Sequence, residues 1–102
     1  MITFKELLER AKSERIAIHT PTEEQAKALL KALDERGYEW ISEEKLTDIT
    51  CYEDEKENTC YTFYDCYGKL LDKKITYSPL DWHQGEGYTI IEFKDIDFKE
   101  EI

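Results

Sequence analysis

The clearest alternation of apolar and polar positions lies in residues 20–40. Apolar residues recur there at helical spacing, while charged residues occupy most other positions. The apolar stripe consists of Ala26, Leu29, Leu30 and Leu33. Thr20 is the predicted N-cap, with Pro21 at the first helical position and Glu23 closing a capping box. Gly37 is placed to take positive φ and end this helix.

Residues 3–12 predict a second, shorter helix with a capping box between Thr3 and Glu6. Its apolar stripe consists of Phe4, Leu7, Leu8 and Ala11. Residues 15–19 alternate as a strand does, and residues 38–41 form a second short strand. These two strands and the helix between them predict a crossover unit, which is right-handed if the strands are parallel in one sheet.

The second half of the chain predicts mostly strands. Residues 49–52 are expected to form an edge strand, and residues 53–58 an exposed acidic turn. Aromatic and β-branched residues at 59–67 indicate a strand that pairs with residues 73–77 in an antiparallel meander. Residues 88–93 are apolar enough to be a central strand.

Ser78, Pro79 and Asp81 repeat the chemistry of a helix N-terminus, so a short helix is expected after residue 78. The whole chain, 1–102, is then a single α+β domain. We expect a mixed, largely antiparallel sheet of five to six strands, with the two longer helices packed on one face and a short third helix. The charged residues at 94–102 are expected to fray at their end.

The net charge of the chain limits the classes of molecule that it can bind. The chain of 102 residues has 24 acidic and 14 basic residues, and its formal net charge is −10. Such a charge repels nucleic-acid backbones and anionic membranes, so direct binding to either is not expected. The N-terminus lacks a signal-peptide pattern, and the three cysteines are an odd number. A cytoplasmic protein with reduced thiols is the expectation.

Candidate catalytic groups do not form a known pattern. The spacing of Cys51, Cys60 and Cys66 is not that of a zinc site, and neither His19 nor His83 lies beside them in sequence. A cysteine nucleophile would need one of those histidines and an orienting carboxylate. There is no glycine-rich phosphate loop. We therefore predict no catalytic residues, no metal and no cofactor, and expect that the chain is not an enzyme.

The acidic residues are concentrated around the predicted meander. With one tryptophan from the aromatic set, they are the predicted partner-binding residues: Glu43, Glu44, Asp48, Glu53, Asp54, Glu55, Glu57 and Trp82. They constitute either an ordinary solvated surface or a negative patch that imitates phosphate charge and docks on a nucleic-acid-binding protein. The aromatic residues also allow two interpretations: they form a small core, or they line a concave binding surface.

Four stretches, at residues 16–40, 57–63, 75–82 and 87–93, resemble a family of small accessory proteins encoded by phages and prophages of Firmicutes. They include the Gly-aromatic-x-Trp run that ends at Trp40, an Asn-Thr-Cys-Tyr run and a Gly-Tyr-x-Ile-Ile-x-Phe run. Family members often continue the tryptophan with Ser-Gly, whereas Ile41, Ser42 and Glu43 follow here. The resemblance implies no catalytic motif. It implies a phage protein that acts in the bacterial cytoplasm, where small acidic proteins of this kind often inhibit host defence, as anti-CRISPR proteins do.

Three functions follow as hypotheses. The first is an anti-CRISPR-like inhibitor that binds the basic, nucleic-acid-binding surface of a host protein. The second is a protein that binds and sequesters a small ligand such as a nucleotide signal, in an aromatic pocket between the sheet and the segment around Trp82. Its phosphate would need the local basic cluster of Lys69, Lys73 and Lys74. The third is a non-catalytic structural or interaction module, which an edge strand would allow to form a homodimer.

Overall fold

The computed structural model describes residues 1–99; residues 100–102, at the end of the predicted charged tail, lie outside the described part. Four α-helices are described: α1 Phe4–Arg10, α2 Glu23–Asp34, α3 Tyr52–Glu55 and α4 Leu80–Gly85. Seven strands are described: β1 Ile2–Thr3, β2 Ile16–His19, β3 Glu39–Trp40, β4 Thr59–Thr62, β5 Lys74–Pro79, β6 Thr89–Glu92 and β7 Ile96–Asp97. Short 3₁₀ turns cover Lys56–Asn58 and Phe93–Asp95.

Five strands form one mixed sheet in the order β3-β5-β4-β2-β6. β4 pairs antiparallel with both β2 and β5, whereas β3 pairs parallel with β5 and β6 parallel with β2. The α+β class and the strand number are therefore confirmed, with pairings divided equally between the two directions. β1 and β7 form a separate parallel pair.

The two faces of the sheet carry different side chains. The pairing register places Ile18, Tyr61 and Tyr77 on one face, which also carries Ile75 and Trp40. The other face carries small residues, with Ala17, Cys60 and Thr62 buried. Small residues permit close approach of a covering element, and α4 contacts β4, β5 and β6. The buried stripe of α2 confirms the predicted helical pattern.

The helix ends show where tertiary pairing overrides a local signal. Thr3 and Glu6 form the predicted capping box. The predicted N-cap of α2 was wrong, because Thr22 is the N-cap and its box partner is Gln25. Thr20 instead extends the β2–β4 pairing, since its backbone N–H donates to the carbonyl of Thr59 at 3.0 Å. Because Thr20 is held in this pairing, the helix begins two residues later than predicted, with Thr22 as its N-cap.

Gly37 ends this helix region as predicted. It has φ of +85°, its N–H donates to the Asp34 carbonyl, and the next N–H, of Tyr38, donates to the Leu33 carbonyl. This pair of bonds is the Schellman arrangement that terminates many helices. It turns the chain directly into β3.

The edge strand predicted at residues 49–52 was wrong. The side chains of Trp40 and Tyr61 donate to the carbonyls of Ile49 and Thr50, at 3.0 and 2.6 Å, so these acceptors are already occupied by side-chain donors. Cys51 has φ of +58°, which breaks an extended strand, and α3 begins at the next residue. The predicted acidic turn at 53–58 is therefore α3 and the 3₁₀ turn after it.

Two further predictions are corrected. The Ser78 cap was wrong, because β5 continues through Pro79, which pairs with Thr59, and α4 begins without a side-chain cap. The central position predicted for residues 88–93 was also wrong, since β6 is an edge strand of the sheet. The partial burial of its four residues comes from elements that cover its faces, and β2 is its one strand neighbour in the sheet.

The assignment of the α2 cap predicts the effect of two substitutions. Thr22→Ala removes the hydroxyl that accepts from the Gln25 N–H, so we expect the free energy of unfolding to fall by about 1 kcal/mol. Thr22→Ser keeps that oxygen, and we expect it to change the free energy of unfolding by only a few tenths of a kcal/mol. Urea denaturation followed by circular dichroism measures both. Equal losses for the two variants would contradict the assignment.

Candidate functional site

Charged residues of both signs lie at both ends of the sheet, but each end has one depression in whose walls one sign predominates. β2, β3, β5 and β6 all run in one direction, because β4 is antiparallel to β2 and β5. Basic residues precede three of these strands, namely Lys12 before β2, Arg36 before β3 and Lys73 before β5, although acidic residues such as Glu14 and Asp72 also lie there. Acidic residues follow them, as Glu44 follows β3, and α3 adjoins the same end because β4 runs in the opposite direction. A four-residue strand spans roughly 13 Å. That exceeds the screening length of about 8 Å at physiological salt, so the two ends act as separate charges.

The acidic end contains a shallow groove. Two adjoining depressions of about 380 and 390 Å³ share Ile49, Cys51 and Tyr77 in their walls. We call them together the acidic groove. Four of the predicted partner-binding residues, all acidic, lie in its walls: Glu44, Asp48, Glu53 and Asp54. The structure thus brings together residues that are ten positions apart in sequence, around a partly apolar floor.

Carboxylates crowd the adjacent residues Cys51 and Tyr52. Burial raises the pKa of the Cys51 thiol, a hydrogen bond from Tyr77 opposes this, and Asp54, Glu44 and Glu53 raise it further. The pKa of the Tyr52 phenol is raised by desolvation, with the carboxylates of Glu57, Glu23 and Glu24 adding to the rise. Acids from α2 and from the segment 44–57 therefore contribute to one negative field.

The backbone of this segment is anchored to the sheet and to the start of α2. The Tyr52 hydroxyl donates to the Pro21 carbonyl at 2.7 Å, and the Tyr77 hydroxyl is hydrogen-bonded to the Asp54 carboxylate. His19 contacts the Glu57 carbonyl through Nε2 at 2.6 Å and the Glu92 carboxylate through Nδ1 at 2.8 Å. The acidic groove is therefore built on a fixed support.

The other predicted partner-binding residues lie outside the walls of the groove. Glu43 is an exposed turn residue with φ of +73°, and Glu55 ends α3. Glu57 is exposed in the following 3₁₀ turn, beside Tyr52. Trp82 is half-buried on α4 and packs on the rings of His83 and Tyr88, at 5.1 and 5.9 Å between centroids. It contributes to a local aromatic cluster and does not line the groove.

The structure places Cys60 opposite His19 in the β2–β4 pairing, and His19 contacts the Glu92 carboxylate. Burial raises the pKa of the Cys60 thiol to about 12, with a further contribution from Glu92, so the nucleophilic thiolate is strongly disfavoured. Residues 1–99 contain no group of three or more His, Cys, Asp or Glu side chains positioned to hold a metal ion. His19 is engaged by Glu92 and the Glu57 backbone, and His83 is fully buried.

The opposite end of the sheet holds a feature that the sequence did not predict. A pocket of about 330 Å³ lies beside α1 and the starts of β3 and β5, with Phe4, Leu8 and Tyr38 in its walls. Its basic residues are Lys5, Lys12, Arg36, Lys73 and Lys99. We call it the basic pocket. Of the chain's 14 basic residues it collects five, and of the 24 acidic residues one described residue, Glu9, lines it.

The predicted basic cluster is only partly present there. Lys73 lines the basic pocket, whereas Lys69 does not and Lys74 is paired with Glu39 at 2.5 Å. The aromatic pocket expected beside Trp82 is likewise not where the basic residues meet, since Tyr38 and Phe4 are the aromatic walls. The sequence did contain a signal for the basic pocket. Basic residues precede several of the parallel strands, and a predicted strand order would have placed these residues at one end of the sheet.

Comparisons with known proteins add no family or fold relative: neither protein-family models, nor curated proteins, nor solved structures match this chain. Among the helices of residues 1–99, the length and apolar character required to cross a membrane are not found.

The burial of His83 predicts a pH dependence of stability. Its ring nitrogens have no hydrogen-bond partner of normal geometry among the described residues, and burial lowers its pKa to about 4, although a backbone hydrogen-bond contribution from Pro79 opposes this. The unfolded chain, with a histidine pKa near 6.5, then binds the proton more readily than the fold does. Stability present above pH 6.5 is therefore lost as the pH falls toward 4, by up to about 3 kcal/mol.

His83→Phe tests the origin of this loss, because the ring is packed and no hydrogen bond of normal geometry is removed. We expect the variant to lose less stability than the wild type between pH 7 and pH 4.5, measured by urea denaturation at each pH. Parallel pH profiles for the two proteins would show that His83 is not responsible.

Proposed function

We propose that the protein is a non-catalytic interaction module that docks its acidic groove on a cationic surface of another protein. The single observation that carries the proposal is the convergence of Glu44, Asp48, Glu53 and Asp54 around exposed apolar residues. Composition alone would allow these carboxylates to be dispersed over the surface, where they would serve only solubility.

Two apolar residues of the groove provide the apolar contact surface that carboxylates alone do not. Ile41 and Ile49 line the groove and are 52% and 47% exposed, although most large apolar side chains of this chain are covered. An apolar centre with a charged rim is the arrangement of protein–protein interfaces, in which central residues carry most of the binding energy. The surrounding charges then select the partner and accelerate encounter.

The partner we infer is a nucleic-acid-binding protein. Its phosphate-binding surface presents lysine and arginine side chains, which the carboxylates of the groove complement in sign. The resemblance to small phage proteins gives this chemistry a setting, namely inhibition of a host defence effector of the CRISPR type in a bacterial cytoplasm. In this proposal the acidic groove occupies the position that phosphates would otherwise take.

The test removes charge from the groove without changing side-chain size. Glu44→Gln, Asp48→Asn and Glu53→Gln are combined in one groove variant. The control combines Glu35→Gln, Glu86→Gln and Asp95→Asn, three exposed acids elsewhere that remove the same charge. We expect wild type and control to capture the same cationic, nucleic-acid-binding protein from a Firmicutes lysate, and the groove variant to bind it at least about tenfold more weakly, ~1.4 kcal/mol.

The biological part of the proposal has its own measurement. Expression in a CRISPR-immune host is expected to raise the plating efficiency of a targeted phage, and the groove variant is expected to lose that effect while the control keeps it. Circular dichroism establishes that all three proteins are folded. Equal capture and equal plating by the groove variant and the control would refute docking through this groove.

A further inference from the structure

We propose that the basic pocket is a binding site for a small phosphate-bearing ligand. This site is separate from the acidic groove and lies at the other end of the sheet. Its five basic side chains stand against one lining carboxylate, in a chain whose net charge is −10. This local excess of positive charge is opposite in sign to the net charge of the chain, and it complements the negative charge of a phosphate group.

Part of the positive charge of the pocket is not engaged in ion pairs among residues 1–99. Lys12 pairs with Glu9 at 3.0 Å, but Lys5 and Lys99 make no ion pair among residues 1–99. Lysines gathered at a concave surface repel one another, which costs stability unless an anion is bound between them. An anionic ligand would therefore be stabilised by several ammonium groups together.

The walls hold two of the cationic groups in fixed positions. The Arg36 guanidinium lies over the Phe4 ring at 4.6 Å, and the Lys73 ammonium lies over the Tyr38 ring at 4.7 Å. Lys73 also donates to the Arg36 carbonyl at 3.0 Å, which uses one of its three N–H donors. Cations placed in this way lose little freedom when a ligand arrives, which favours binding.

Tyr38 adds a neutral donor beside the lysines. Burial raises the pKa of its phenol, the charges of Lys12 and Arg36 lower it by less, and the Asp72 carboxylate raises it, so the hydroxyl keeps its proton at physiological pH. The half-buried Tyr38 and Leu8 supply apolar surface for the uncharged part of a ligand. The volume of about 330 Å³, with a neighbouring depression of 260 Å³ that shares both residues, is that of a small-molecule site.

The backbone at Lys73 supports a binding role. Lys73 has φ of +57°, in the left-handed region where a non-glycine residue costs roughly 1–2 kcal/mol. Strained residues of this kind concentrate at ligand-binding sites, where the position of the side chain compensates for the cost. Here the strained turn places the Lys73 ammonium at the pocket, over Tyr38.

Lys73→Gly separates binding from folding. Glycine adopts φ of +57° without strain, so we expect the variant to be at least as stable as the wild type while it loses one cation of the pocket. Lys56→Gly is the matched control, because Lys56 is an exposed lysine with φ of +50° that does not line the pocket. Both variants remove one positive charge and place glycine at a residue with positive φ.

The probes are inorganic pyrophosphate and adenosine 5′-diphosphate, with adenosine as the uncharged comparison, titrated by calorimetry at constant ionic strength. We expect at least one of the two phosphate probes to bind with a dissociation constant below about 1 mM, adenosine not to bind, and Lys73→Gly to weaken binding at least fivefold relative to Lys56→Gly. Binding of both phosphate probes means that the phosphate suffices, and binding of the nucleotide alone means that the organic part contributes. Either result supports the site.

Backbone amide NMR locates the bound probe. We expect shifts at Tyr38 and Lys73 and none at Ile49 or Cys51 in the acidic groove. The proposal is overturned if neither phosphate probe binds, if Lys73→Gly and Lys56→Gly bind equally, or if the shifts fall outside the pocket. These outcomes leave docking through the acidic groove untouched, since its variants change other residues.

Discussion

The antiparallel pairing of β4 with β2 and β5 is the constraint on which the rest of the structure depends. All four residues of β4 are buried, and the sheet is covered on both faces there. The two threonine hydroxyls of β4 have partners: that of Thr59 donates to the Lys56 carbonyl, and that of Thr62 donates to the Ile16 carbonyl at 2.6 Å. Charged side chains cannot be accommodated in this dry centre without a large desolvation cost. They are therefore displaced to the two ends of the strands, where the acidic groove and the basic pocket form.

Local sequence signals predicted the elements whose stability is local. The box of Thr3 and Glu6 and the stripe of α2 needed no information about the rest of the chain. The signals failed where a distant partner intervened. Thr20 and Thr22 both fit a capping box in sequence, and only the bond from Thr20 to the β4 residue Thr59 decides between them. The sequence at Ile49 and Thr50 predicts a strand, but in the structure the side chains of Trp40 and Tyr61 donate to their carbonyls.

The same distinction applies to the two binding surfaces. The acids of the groove are near neighbours in sequence, so their clustering was visible as a run of carboxylates, although the apolar floor of Ile41 and Ile49 was not. The basic residues of the pocket are scattered from residue 5 to residue 99 and are brought together only by the order of strands. A helix, two strand starts and the stretch after β7 meet there, and no local pattern encodes that meeting.

The acidic groove and the basic pocket lie at opposite ends of the strands, in a molecule whose net charge is negative. In the field of a cationic surface, such a molecule rotates before it touches, and its carboxylate end arrives first. Two copies can bring unlike ends together in two ways: head-to-tail, which is a heterologous contact, or side by side and antiparallel, which is a two-fold symmetric contact. The head-to-tail contact alone would extend into open chains, and salt would weaken both.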